Sequence, residues 1–272
     1  MVTEAATAAE ARGLQGAAAT AHYLLSILHQ EAGDTQRAET STLRAAAAGR
    51  SADETTRANQ LANTARCLLE LETGISRSRK LIGEASEIVD QLGLELCELY
   101  WARGLLQRWD GDAETASASI ARALALARKD EDRWREYKCL TWLAMIEQEL
   151  GRNDDMQARC EDLGTVAARL GEDETPFVAT LQALARLATD EVSAGEVLED
   201  ALRRLRNVDD KSYLAYALNS AARLYLRAGH LDQVRLYAAE ALDAASAMRR
   251  DNEAESPVRC WHHVAKLNRA GI

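Results

Sequence analysis

Apolar residues recur three to four apart along most of the chain, the spacing of helices with one buried face. Ala21 to Leu28 and Leu218 to Leu226 are clear examples. Each such stretch ends in a short polar segment. These are Ala32-Gly33-Asp34, Glu72-Thr73-Gly74, Asp110-Gly111-Asp112, Leu150-Gly151-Arg152, Ala188-Thr189-Asp190 and Ala228-Gly229-His230. Anchored on residues 33, 74, 111, 151, 189 and 229, the spacings are 41, 37, 40, 38 and 40. Such regularity predicts one structural unit repeated six times.

A second amphipathic, alanine-rich stretch follows each turn. Five and twelve residues past the anchor stand Ala38 and Ala45, Ala116 and Ala123, Ala194 and Ala201, and Val234 and Ala241. Small side chains there let two antiparallel helices approach closely, and a turn glycine carries no Cβ penalty. The predicted unit is therefore helix–turn–helix. The second and fourth units depart from the pattern. Arg79 and Met156 take the first alanine position, and Gly83 and Gly164 fall inside the second helix, so a one-residue shift or a bend is expected there.

These residues carry a resemblance to the tetratricopeptide repeat. The third unit shows it best, with Gly104, Gly111-Asp112, Ala116 and Ala123-Leu124. The first follows with Ser26, Gly33-Asp34, Ala38 and Ala45, and the sixth with Ala222, Tyr225, Gly229, Val234 and Ala241-Leu242. The resemblance covers residues 13–250. The spacing exceeds the usual ~34 residues, so the chain is similar to the long-repeat helical sensor arms of large bacterial transcription activators and signalling ATPases. It implies an all-α solenoid of about six antiparallel helix pairs, a superhelix with a concave groove. One elongated domain over 1–272 is expected, since no Pro/Gly/Ser-rich linker interrupts it.

The ends of such an array need covers. Ser256-Pro257 is a suitable helix start, and Cys260, Trp261, Val264, Ala265 and Asn268 then form an amphipathic capping helix over 256–270. Residues 1–12 read as a leading helix without a clear partner, or the remnant of an earlier repeat. Gly171 to Thr175 is the longest break, and Pro176 begins the fifth first-helix.

Composition narrows the function. Aromatics are 5%, with a single Phe and two prolines, which argues against sandwiches and barrels. No apolar run is long enough to span a bilayer, and no secretory signal is visible, so the expected setting is cytoplasmic without membrane contact. The net charge of −10 disfavours nucleic acid as a partner of this domain. The five cysteines are scattered without a CxxC pair, and read as reduced, buried thiols.

In the repeat family the first helices, here called A helices, line the groove. Carrying those positions over puts Tyr23 on the inner face of the first unit, Trp101, Arg108 and Trp109 on the third, and Lys138 on the fourth. Arg186 falls on the fifth, and Tyr216, Asn219, Arg223 and Arg227 on the sixth. Arg, Trp and Tyr dominate interface energies, and Arg pairs with carboxylates in a planar, bidentate way. A protein or peptide ligand bearing acidic and apolar side chains is the expected partner. The alternative is that the tryptophans fill inter-repeat packing and the arginines pair with local Asp or Glu.

Catalytic chemistry is hard to find. Cys260-Trp261-His262-His263 lacks a second cluster to complete a metal site. Asp154-Asp155 and Asp209-Asp210 are helix-start residues rather than a calcium loop. No nucleophile elbow or phosphate-cradling glycine loop occurs. His22 and His29 share a helix face suited to packing, and Arg203, Arg204 and Arg206 to a solvated convex face. The expectation is a scaffold or adaptor that is not an enzyme and needs no cofactor or metal. A second expectation is the sensor domain of a multidomain transcription regulator, binding a small effector or signalling peptide. Oligomeric state stays open.

Overall fold

Helix starts in this chain are written by aspartates. Asp34, Asp53 and Asp112 each accept the backbone N–H three residues on, from Arg37, Thr56 and Thr115, at 3.0–3.1 Å. Asp132 accepts from the Arg135 N–H at 2.9 Å in the same way. Each satisfies a donor that the first helical turn leaves orphaned. Helix ends are written by left-handed residues. At Gly111 and Gly229, with φ of 84° and 80°, paired backbone bonds close the last turn.

The computed structural model describes residues 1–32, 34–170, 176–189, 191–208 and 211–247, and among them every regular element is an α-helix. The expected capping helix over 256–270, the Cys260-Trp261-His262-His263 run, the break at 171–175 and Asp209-Asp210 lie outside the described residues.

The chain divides into two compact units, at Leu150/Gly151. The first holds α1 (Val2–Ala11), α2 (Gln15–Glu31), α3 (Thr35–Gly49), α4 (Glu54–Glu70), α5 (Ile75–Leu92), α6 (Cys97–Trp109), α7 (Ala113–Lys129) and α8 (Arg133–Leu150). Hairpins α2–α3, α4–α5 and α6–α7 pack internally, and each touches the next in chain order. The A helices α2, α4 and α6 also contact one another in succession. The leading helix α1 has a partner after all, because it packs on α2 and Glu10 accepts from His22 Nε2 at 2.7 Å.

The second unit holds α9 (Asn153–Leu170), α10 (Pro176–Ala188), α11 (Ala194–Arg206), α12 (Lys211–Arg227) and α13 (Leu231–Ala247). Hairpins α10–α11 and α12–α13 pack internally, and α10 also touches α9 and α12. Helix α10 does begin at Pro176. The fourth pair expected from sequence, α8 with α9, has one helix on each side of the division.

The small-residue positions hold each hairpin together. Ala38, Ala45, Ala116, Ala123, Ala194, Ala201, Val234 and Ala241 are all buried. In the fourth unit Met156 and Leu163 fill those places, both 0% exposed. Helices α5 and α9 run unbroken through Gly83 and Gly164. The predicted shift does occur in the second unit: Ser78 and Ala85 are its buried small residues, one place before Arg79 and Ser86. Arg79 itself is exposed and grips Asp110 with two bonds, at 3.0 and 2.7 Å.

Candidate functional site

Helix α4 should bury an apolar stripe, yet it buries Gln60, Asn63, Arg66 and Glu70. Charged side chains are almost never fully buried unless paired. Arg66 donates from Nη1 to Glu70 on the same helix. Glu70 also accepts from Gln30 Nε2 of α2 at 2.8 Å, and from Trp142 Nε1 of α8 at 3.3 Å. One carboxylate thus ties three A helices.

The Arg66 guanidinium lies over one indole and beside a second. Its carbon is 4.7 Å from the Trp101 ring centre and 5.9 Å from that of Trp134, and the rings are 6.0 Å apart. Burial works against its charge, but the Glu70 carboxylate more than offsets this and holds the group protonated. Arg66 Nε and Nη2, Trp101 Nε1 and both amide atoms of Asn63 are buried with no hydrogen-bond partner among the described residues.

Around this floor stands a half-buried rim from α8. Arg135 pairs with Glu98 of α6 and with Asp132. Lys138 lies 5.8 Å from the Trp134 ring. Arg108 of α6 forks onto Glu149, with contacts of 2.6–3.1 Å, while sitting 5.5 Å from the Trp142 ring. The result is a polar, aromatic patch inside a helical unit: a charged floor, an indole wall and cationic edges. Nothing in it sets a nucleophile beside a base. Burial pushes the Cys67 thiol up to about 11 and that of Cys160 to about 12, far from thiolate chemistry. Among the described residues no group of three His, Cys, Asp or Glu could hold a metal ion, and no helix is long and apolar enough to cross a membrane.

Of the residues expected from sequence, Tyr23, Trp101, Arg108 and Lys138 belong to the first unit and surround this patch, or border it. Tyr23 is buried, and Arg66 and Glu98 act on it electrostatically. Trp109, at the end of α6, is 37% exposed. In the second unit Tyr216 is buried against Phe177, their rings 6.2 Å apart and edge-on. Asn219 is also buried. Arg223 is half-buried and donates to Ser220 at 3.2 Å. Arg186 is exposed, 4.0 Å from Glu191, and Arg227 is exposed. Arg206 is not on a merely solvated face: it clasps Glu240 at 2.7 and 2.9 Å and Glu199 at 2.9 Å.

Sequence reasoning missed Arg66, Glu70, Trp134 and Trp142. For α4 the cause is visible in the backbone. Its last turn closes through the N–H groups of Glu72 and Thr73, the same pattern as Gly111 with Asp112. Glu72 holds φ at 55°, so it occupies the place of the turn glycine, two residues before Gly74. Anchored there, the spacings become 39, 39, 40, 38 and 40. Arg66 then aligns with Ile27, Leu105 and Met145, and Glu70 with Glu31, Trp109 and Glu149.

No protein-family model matches the sequence, and the curated proteins contain no match. Among solved structures the chain is similar to the apo form of RapI, at 14% identity and a TM-score of 0.65, over 85% of this chain and 84% of that one. It is also similar to PH0952 from Pyrococcus horikoshii, a signal transduction ATPase with numerous domains and a tetratricopeptide repeat sensor. That likeness has 14% identity and a TM-score of 0.54, over 93% of this chain and 43% of that one. At such identities the likeness is one of fold. It is the tetratricopeptide-like helical repeat, an all-α solenoid class that includes sensor arms.

Proposed function

We propose that this chain is a non-catalytic, ligand-sensing repeat domain that binds a peptide on the A-helix faces of its first unit. The observation that carries this reading is the buried Arg66 packed against Trp101 and beside Trp134, with donors of both Arg66 and Trp101 unsatisfied. Each buried, unpaired donor costs about 1–3 kcal/mol. A peptide carbonyl or carboxylate would recover that cost once the half-buried Trp134 side chain of α8 swings aside to admit it, while its apolar side chains cover Trp134 and Trp142. In the second unit, Arg186, Arg223 and Arg227, with Tyr216 and Asn219 behind them, are proposed as a further basic docking surface.

The experiment is a titration of synthetic acidic and apolar short peptides, read by indole fluorescence. Binding is expected, and Trp134→Ala should weaken it by about tenfold or more, roughly 1.4 kcal/mol, with helical content unchanged. Equal affinity of the variant, or no binding by any such peptide, would overturn the assignment. A regulatory role within a multidomain protein is the natural setting, because the fold is shared with the repeat sensor of the signalling ATPase.

A further inference from the structure

A second site lies away from the Arg66 patch, where α1, α2 and α3 line a half-open cavity of about 240 Å³. Each helix turns one stripe toward it. Glu10 comes from α1; His22, Leu25 and His29 come from α2; Arg37, Ser41 and Arg44 come from α3. Its lining sets two arginines against one glutamate. Glu10 is the one carboxylate among its lining residues, and buried His22 holds it at 2.7 Å. Arg37 leans on Asp34 at 3.3 Å while staying 74% exposed. Arg44 is exposed, has no ion pair among the described residues, and acts electrostatically on Glu10. Two guanidinium groups and two imidazoles therefore line the cavity against one engaged carboxylate, beside the buried Ser41 hydroxyl and the apolar side of Leu25. In a chain of net charge −10, such a local excess of cations concentrates anions.

We infer that this cavity is a binding site for a small organic dianion, a dicarboxylate or phosphate monoester, which Arg44 and His29 hold and which fastens α1 onto α2 and α3. Guanidinium forks match both carboxylate and phosphate oxygens. The volume falls below that of pockets for drug-sized ligands, so a molecule of metabolite size fits it. The site spans three helices, and its ligand therefore adds contacts to an α1–α2 junction held by helix packing and the Glu10–His22 bond.

The test is calorimetric titration of the full chain with succinate, glycerol 3-phosphate and inorganic phosphate, with amide hydrogen exchange at residues 2–11 in parallel. At least one organic dianion should bind at millimolar concentration or tighter, more strongly than inorganic phosphate, and should slow exchange in α1. Arg44→Glu, at an exposed position that leaves the fold intact, should weaken it at least tenfold. His29→Gln should weaken it less. No binding by either organic dianion, equal binding by Arg44→Glu, or binding without protection of α1 would each overturn the inference. Peptide binding at the Arg66 patch is unaffected by this outcome.

Discussion

Residue by residue, two kinds of side chain decide the packing: the very small and the buried charged. A Cβ on Gly104 would stand 2.6 Å from Ile120, which is fully buried, and 3.2 Å from the Ala116 carbonyl. Gly104→Ala should therefore lose stability, since overpacking costs about 1–3 kcal/mol against a helix gain of about 1 kcal/mol. Gly83 meets nothing within 4 Å, so Gly83→Ala should gain about 0.5–1 kcal/mol. Urea denaturation of both variants checks the pair, and the same sign for both would contradict the packing described. Arg66 and Glu70 form the other case. Glu70→Gln leaves a buried guanidinium without its counter-charge and should cost about 3–5 kcal/mol. Replacing both by Met should restore most of that in chemical denaturation, because burying the pair is itself expensive.

For the helices as elements, their ends carry the stability that can be tuned. Glu131 holds φ at 54° at the end of α7, where its N–H bonds the Arg128 carbonyl and the next N–H bonds Ala127. Glu131→Gly removes the left-handed penalty of about 1 kcal/mol and should raise the melting temperature; no rise would argue against a left-handed cap there. The Asp caps respond to pH. Hydrogen bonds from Thr56 and Thr115 hold the Asp53 and Asp112 carboxyls below the ordinary carboxylate range. A depressed folded-state pKa contributes stability that is fully present above the unfolded value of about 3.9. It is lost as pH falls through the folded value. Asp53→Ala and Asp112→Ala should lower the melting temperature at pH 7 and flatten its decline below pH 4.

Taken as a whole, the protein sets a strongly negative total charge against local positive surfaces on its repeats. If the second unit's basic residues dock an acidic partner, Arg186→Glu with Arg223→Glu should abolish peptide capture there while the melting temperature holds, since Arg186 is exposed and Arg223 donates to Ser220 alone among the described residues. Retained capture would confine docking to the Arg66 patch. The repeat order was legible because stacked hairpins need small residues and tight turns at fixed spacing, and those positions are written in alanine and glycine. The Arg66 patch was less legible. Trp134 and Trp142 sit on α8 without a motif to mark them, and Arg66 lies on a helix whose turn uses Glu72 where four of its five counterparts have glycine.

What the sequence determined by itself is the helical repeat, its period near 39 residues and the small-residue seam of each hairpin. Those are local properties: helix period, turn conformation and side-chain volume act within one unit. Tertiary structure decided which charges are buried, that Glu70 joins three helices, that Trp101 and Trp134 pack against Arg66, and that α1 lines a cavity with two arginines of α3. Each of these depends on side chains far apart in the chain meeting at a few ångströms, and no spacing along one helix encodes that.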